Sequence, residues 1–340
     1  MCPQLFTEIP MNKNLAQEVI ACLPCGKTRF DYFKDRYALL LLSYVVGKAT
    51  NIGSLRRSRY GRLLGKPAVK RLLATSGDGL IYPEQINGVW EEPSLNFLLT
   101  LSTWKGRGQP WNQTSRPGDN LVLQLNFTSK HRRDYERLVK PLSSSQYINW
   151  GHPVMRQKER TFYRDTLAWA RIDFDYSTDE ALIEEIQTDW LREARWHLEC
   201  ERRRVARYHD SNPFSRFYEE RLLDLEHYVN LTLRPYYAVW DEAMLAATIQ
   251  FIRNELGIRQ IFYHTFDTGR LIKRIPDTPP RSLYTTLPRS FCFEEVDTAP
   301  QFLQRSLRRK LTKLRTELKW FRMDLNIPAI HDDTDRPLVT

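Results

Sequence analysis

The chain has 340 residues, of which 41% are hydrophobic and 27% are charged, and its formal net charge is +10. These proportions are typical of a folded globular protein and exclude a disordered chain. The positive charge favours an acidic partner, such as nucleic acid or a phosphorylated ligand.

Residues 1–85 are predicted to form a helical, basic N-terminal region. Apolar residues recur at three- and four-residue spacing from Phe30 to Tyr44, which indicates one face of a helix. The stretch 54–74 predicts two short basic helices that are broken at residues 65–67. Such a pair could contact phosphates as a small helix-turn-helix, or could present a solvated basic face. The arginines that we expect to make nucleic-acid contacts here are Arg56, Arg57 and Arg59.

Residues 86–298 are predicted to form an α+β domain, in which helices flank a mixed β-sheet. Apolar alternation and turn residues predict strands at 95–104, 120–127 and 258–265, besides a central hairpin. The predicted helices are 129–140, 241–256 and 269–275, with a helical insertion at about 191–235. The polar segment 105–119 is interpreted as a loop.

Residues 299–325 are predicted to form a basic amphipathic helix. Leucines from Leu303 to Leu318 lie on one seam and basic side chains cover the rest. The helix could pack its leucine seam onto the domain or contact nucleic acid. The basic residues assigned to the second interpretation are Arg308, Arg309 and Lys313. Residues 326–340 are predicted to be a tail.

The stretch 181–190 is the strongest candidate for a functional site. It places three carboxylates and an amide in an otherwise apolar, β-prone run. Acidic side chains in a half-buried strand are costly unless they are paired, hydrated or functional. Paired with strand 167–175 as a hairpin, the strand puts six polar residues on one face and Glu184 on the opposite, more apolar face. The six residues are Arg171, Asp173, Asp175, Glu185, Gln187 and Asp189.

Residues 182–190 resemble the "IEEIQSDW" segment in uncharacterised regions of large polyvalent proteins from phages and mobile elements. Thr188 stands where that segment has serine. The later helix and strand at 240–265, and the segment Tyr284–Pro288, also have counterparts there. The resemblance implies a bacterial or mobile-element context and brings no established activity.

The order of elements from residue 120 to residue 296 is similar to that of GNAT-type acyltransferases. In that family a carboxylate or a water at a strand end acts as base, and a tyrosine acts as acid. The resemblance implies acyl-CoA as cofactor. By this resemblance the base would be Glu184, Glu185 or Asp189, and the acid would be Tyr284. These residues would line a pocket beside strand 181–190, to which Gln187 would also contribute. The Gly-rich turn by which the family binds the CoA pyrophosphate has no counterpart after Trp190 or Trp240, so the fold could be shared without the cofactor.

A third resemblance is to metal-dependent nucleases. Asp173 or Asp175, followed on the next strand by Glu185-x-Gln187, resembles their D…(D/E)xK arrangement, with glutamine in place of lysine. Carboxylates on adjacent strands can hold Mg²⁺, which activates water against a phosphodiester. A structural alternative stays open, in which Arg171 pairs with Glu185 across the hairpin and the chain is a non-catalytic interaction protein.

Cysteine and histidine usage adds little to these hypotheses. Five scattered cysteines and the absence of a signal-peptide pattern predict a cytoplasmic protein, and the longest apolar run, 37–46, is too short to span a bilayer. Cys22-Leu-Pro-Cys25 has the spacing of half a zinc site, and no second half follows. His264 lies in an apolar strand and is predicted to be a hydrogen-bonded core residue.

Overall fold

The computed structural model describes most of the chain. The described residues are 13–22, 28–104, 113–140, 148, 165–208, 215–273, 279–304, 306–307 and 318–325. Several predictions lie outside them. These concern Cys25, the loop residues 105–112, Arg308, Arg309, Lys313 and the tail 326–340.

In its described residues the chain has an α+β fold built on one mixed, eight-stranded sheet. In chain order the strands are β1 (Thr28–Tyr32), β2 (Thr50–Asn51), β3 (Leu80–Ile81), β4 (Leu95–Trp104), β5 (Asn120–Asn126), β6 (Thr166–Asp175), β7 (Glu180–Gln187), β8 (Gln260–His264), β9 (Glu294–Val296) and β10 (Trp320–Asp324). The order across the main sheet is β1-β4-β5-β6-β7-β8-β10-β9, and β2 and β3 form a separate ladder. Within the main sheet β7 and β8 are parallel, and the other paired neighbours are antiparallel.

Helices cover this sheet. The α-helices of the described ranges are α1 (Lys13–Cys22), α2 (Tyr37–Val45), α3 (Ile52–Arg57), α4 (Pro67–Ala74), α5 (Pro83–Asn87), α6 (Ser129–Leu138), α7 (Asp189–Tyr208), α8 (Ser215–His227), α9 (Arg234–Tyr237), α10 (Trp240–Asn254), α11 (Phe266–Lys273) and α12 (Thr286–Ser290). Short 3-10 helices span Arg59–Gly65, Arg281–Tyr284 and Gln301–Leu303, and a π-helical turn spans Tyr228–Thr232. Among the residues that the structure describes, no helix is long and apolar enough to cross a membrane.

Strand alternation gives the sheet two apolar faces. Ile183 and Tyr263 belong to the main core, which α10 covers, whereas their neighbours Leu182 and Phe262 belong to a smaller cluster with Trp320. Successive side chains of a strand point to opposite faces, so β7 and β8 need apolar partners on both sides. The smaller cluster is completed by α11 and by the residues after Pro300.

Two predicted helices are partly wrong. Residues Thr28–Tyr32 form β1 at the sheet edge, so the helix predicted from Phe30 begins only at Tyr37. Residues Trp320–Asp324 form β10, whereas the sequence predicts a helix over 299–325. Because β10 pairs between β8 and β9, its apolar residues are buried on both sides of the sheet, and tertiary pairing outweighs the helical spacing of the preceding leucines.

Candidate functional site

A β-bulge reshapes the candidate strand. Arg171 is opposite Glu185, as predicted, but Ile172 is opposite Ile183, so Glu184 has no partner on β6. A bulge of this kind turns two consecutive residues towards one face. The prediction that Glu184 lies on the face opposite Glu185 is therefore wrong. Both carboxylates face Lys273, whose Nζ lies 3.5 Å from Glu184 Oε2 and 3.6 Å from Glu185 Oε2.

Glu184 is fully buried, and both oxygens of its carboxylate have hydrogen-bond partners. Its carboxylate accepts hydrogen bonds from the backbone N–H of Ser115 (2.8 Å) and from the Ser115 hydroxyl (2.9 Å). His264 Nε2 lies 3.1 Å from Glu184 Oε2 and 3.0 Å from Ser115 Oγ. The three side chains do not form a nucleophilic triad, because serine and carboxylate share one histidine nitrogen and all three are buried. His264 is buried, as predicted, and its Nε2 has two partners, but its Nδ1 has no hydrogen-bond partner among the described residues.

Two further ion pairs complete this group. Arg171 lies 2.8 Å from Glu185 and donates to the backbone oxygen of Gln113. The pair predicted across the hairpin is thus confirmed. Arg116 donates two hydrogen bonds to Asp173, at 2.7 and 2.9 Å, and its guanidinium lies 4.4 Å from the centre of the Phe302 ring. We call the group the buried network. Its members are Ser115, Arg116, Arg171, Asp173, Glu184, Glu185, His264 and Lys273.

The buried network balances its own charges. Three carboxylates face two guanidinium groups and one ammonium. The attraction between these opposite charges offsets part of the free energy needed to remove all six groups from water. Burial opposes ionisation of Glu184, but Lys273 and His264 outweigh it and hold the pKa of Glu184 well below its usual range. Burial also raises the pKa of Asp173 to about 6, against the attraction of Arg116, and lowers the pKa of His264.

The end of the stretch 181–190 anchors α7. Asp189 accepts hydrogen bonds from Gln187 (2.6 Å) and from the indole of Trp169 (3.0 Å), and it pairs with Arg192. Trp190 is buried and donates to the hydroxyl of Tyr228 at 2.8 Å. Both Gln187 and Asp189 therefore have local bonding partners.

The carboxylates proposed for Mg²⁺ do not form a fitting donor set. Both oxygens of Asp173 accept from Arg116, and Glu185 is paired with Arg171. Within the described ranges, no three His, Cys, Asp or Glu side chains converge as metal ligands. A Mg²⁺ ion at this place would have to displace two buried guanidinium groups, so we derive no metal-dependent step.

An open cleft of about 640 Å³ lies beyond the carboxyl end of β8. Parallel strands commonly place ligand sites at this end. The lining residues come from four segments, and they are Thr265, Phe266, Asp267, Thr268, Arg270, Leu271, Arg281, Tyr284, Thr285, Arg289, Glu295, Leu318, Lys319 and Phe321. The hydroxyls of Thr265 and Thr268 lie 2.8 and 2.6 Å from the backbone oxygen of Lys319, which ties the start of α11 to β10.

The cleft carries an excess of positive charge. Glu295 pairs with Arg289 (3.1 Å) and with Lys319 (3.5 Å). The other two arginines, Arg270 and Arg281, are exposed, and neither forms an ion pair with a residue that the structure describes. Their guanidinium carbons lie 5.7 and 4.5 Å from the centre of the Phe266 ring. Asp267 also lines the cleft, so its four cations face two carboxylates, and Arg270 and Arg281 are the cations without an ion pair to a described residue.

Tyr284 is the predicted catalytic residue that reaches this cleft. Its ring stacks on Tyr263 at 5.6 Å, and its hydroxyl makes no hydrogen bond with the described part of the chain. Burial, reinforced by the charge of Glu185, raises the pKa of Tyr284, so the hydroxyl keeps its proton at neutral pH. The other predicted catalytic residues (Glu184, Glu185, Gln187 and Asp189) do not line the cleft.

The predicted phosphate contacts of the N-terminal region divide into two groups. Arg59 pairs with Glu294 at 2.9 Å and donates to the backbone oxygen of Asp324, so it joins this region to the sheet. Arg56 and Arg57 are exposed at the end of α3. Only the latter two are free to contact a large anionic partner, and that contact stays a prediction.

In comparisons with known proteins, no family model, no curated protein and no solved structure matches the chain.

Proposed function

We propose that the chain binds a phosphate-bearing small molecule in the cleft beside β8. The observation that carries this proposal is the pair Arg270 and Arg281, which face a concave site and have no acidic partner among the described residues. Guanidinium groups recognise phosphate through several N–H donors in a fixed plane. A cleft of about 640 Å³ has the size of a small-molecule site. The net charge of +10 also attracts anions.

Titration calorimetry with pyrophosphate tests the proposal. The double variant Arg270→Ala/Arg281→Ala should bind pyrophosphate at least about tenfold more weakly than the unchanged protein, because each charge-assisted contact is worth about 1.5 to 3 kcal/mol. The matched control is Arg137→Ala/Arg216→Ala, which removes the same charge from exposed sites on α6 and α8. Equal loss in both variants, or no binding by the unchanged protein, contradicts the proposal.

A second candidate function is acyl transfer from an acyl-CoA. The observation that favours it is Tyr284, which lines the cleft and whose hydroxyl keeps its proton at neutral pH and has no hydrogen bond to a described residue. In such a reaction the tyrosine gives its proton to the departing thiolate. The order of elements around β5 to β9, which resembles that of acyltransferases, also supports this candidate. Acetyl-CoA-dependent acylation of a panel of amines tests it.

A further inference from the structure

The guanidinium carbon of Arg281 lies over the ring of Phe266. It lies 4.5 Å from the centre of the Phe266 ring, closer than Arg270 at 5.7 Å, while Phe266 itself is buried. Arginine is planar and stacks on aromatic rings with one of its faces. The Arg281 side chain is exposed and lines the cleft, so a second planar group in the cleft can reach it.

The cleft is also larger and more apolar than a phosphate requires. Leu271, Leu318 and Phe321 contribute to its walls, and Leu271 is 38% exposed. An inorganic phosphate has no apolar surface to bury against such walls. A ring-bearing ligand removes this apolar surface from water, which is favourable in proportion to the area buried.

We infer that the ligand of the cleft is a nucleotide. Its base stacks on the plane of the Arg281 guanidinium, and its phosphates bond to Arg270 and are also attracted by the charge of Arg281, which a lysine at that position would keep. This inference rests on the proposed phosphate site and adds the class of ligand. Nucleobases stack on arginine planes as they do on aromatic rings, and such stacking is tolerant of base identity. The layers are then Phe266, the Arg281 guanidinium and the base.

Calorimetric titrations with ADP and with pyrophosphate separate the two claims, because both ligands carry a diphosphate and only ADP carries a base. We expect the unchanged protein to bind ADP at least about tenfold more tightly than pyrophosphate. Arg281→Lys keeps the charge and removes the plane. It should weaken ADP binding about tenfold and change pyrophosphate binding less than about threefold. Arg270→Lys is the control, and we expect it to weaken both ligands by the same factor.

The outcomes are distinguishable. If pyrophosphate binds and ADP binds no more tightly, or if Arg281→Lys weakens both ligands equally, the nucleotide inference is overturned while the phosphate site stands. If neither ligand binds, the proposed function fails as well.

Discussion

Lys273 donates a hydrogen bond to the backbone oxygen of Glu184, and its Nζ lies 3.5 Å from the carboxylate of the same residue. This contact connects the buried network to the cleft, because Lys273 is the last residue of α11 and Arg270 and Leu271 lie on the exposed side of that helix. The carboxylates of β7 therefore hold the helix that forms one wall of the cleft.

Glu184→Gln should lower the free energy of unfolding by about 3 kcal/mol. The substitution leaves the buried ammonium of Lys273 without one of its two carboxylates, and breaking one partner of a buried pair is strongly destabilising. Urea unfolding at neutral pH measures the change. A variant as stable as the unchanged protein would show that the charge of Glu184 does not stabilise the fold.

The double variant Glu184→Gln/Lys273→Met is the control for this prediction. Removing both charges leaves no uncompensated ion. The free energy of unfolding should therefore fall by at least about 1 kcal/mol less in the double variant than the summed losses of the two single variants. Additive losses would mean that the two side chains are not coupled.

Glu295→Gln should strengthen pyrophosphate binding severalfold. Glu295 pairs with both Arg289 and Lys319, so its neutralisation leaves two more cations of the cleft without an acidic partner. Glu294→Gln is the matched control, since Glu294 has the same charge at the neighbouring position, pairs with Arg59 and does not line the cleft. Titration calorimetry at low salt measures both variants. An equal gain in both would assign the effect to net charge alone.

Tyr284→Phe should leave the free energy of unfolding within about 0.5 kcal/mol of its original value, because the lost hydroxyl has no hydrogen bond to a described residue. If the cleft transfers acyl groups, the same change should lower the rate about 100-fold, the usual contribution of a general acid. Tyr263→Phe is the control, since that ring stacks beside Tyr284 and does not line the cleft. Transfer at the original rate by Tyr284→Phe would remove the tyrosine from the reaction.

His131 should make the fold sensitive to acid. It stacks on Phe127 with ring centres 3.5 Å apart, and burial lowers its pKa to about 3. The folded state therefore keeps the ring neutral, while the unfolded chain takes up a proton near pH 6.5. Above about pH 6.5 the ring is neutral in both states and protonation of His131 costs no stability. As the pH falls below about 6.5, protonation of the unfolded chain lowers the free energy of unfolding. From about pH 7 to about pH 5 the loss is about 2 kcal/mol, at 1.4 kcal/mol per pKa unit.

Urea unfolding at those two pH values checks the His131 prediction. His131→Gln has no charge to gain and can still bond the hydroxyl of Tyr228, which lies 2.9 Å from His131 Nε2. The variant should therefore lose about 2 kcal/mol less than the unchanged protein over the same interval. The same loss in both proteins would show that His131 titrates normally. His264 is present in both, so its own titration cancels in the comparison.

Much of the fold could be predicted from local pattern. The strand predicted at 95–104 matches β4, and the helix predicted at 241–256 corresponds to α10. In each segment the apolar residues recur at the spacing of the predicted element, and the folded protein buries the face that carries them. The predicted pairing of Arg171 with Glu185 across the hairpin is also correct, because the alternation of side chains determines which residues face each other.

The bulge at Glu184 could not be predicted in the same way. It brings two carboxylates to Lys273, which is 89 residues further along the chain, and places one of them against Ser115, which is 69 residues earlier. No pattern within the strand reports these partners. The polar composition of segment 105–119 predicts a loop and nothing more, yet Ser115 and Arg116 within it are buried.

The cleft was missed for a related reason. Its cations come from α11, the segment 281–289 and the residue before β10, and only tertiary structure brings them together. Neither Arg270 nor Arg281 belongs to a recognisable sequence motif. Of the residues proposed from the sequence, Tyr284 alone pointed to this place, and it did so through a family resemblance.

A crystal structure of the chain soaked with pyrophosphate tests the central claim most directly, namely that the ligand site is the cleft and not the carboxylate strand. We predict that the anion lies within hydrogen-bond distance of Arg270 and Arg281, with the Lys273–Glu184 contact unchanged. Pyrophosphate bound at Lys273 and Arg171, with the buried network opened, would contradict the account.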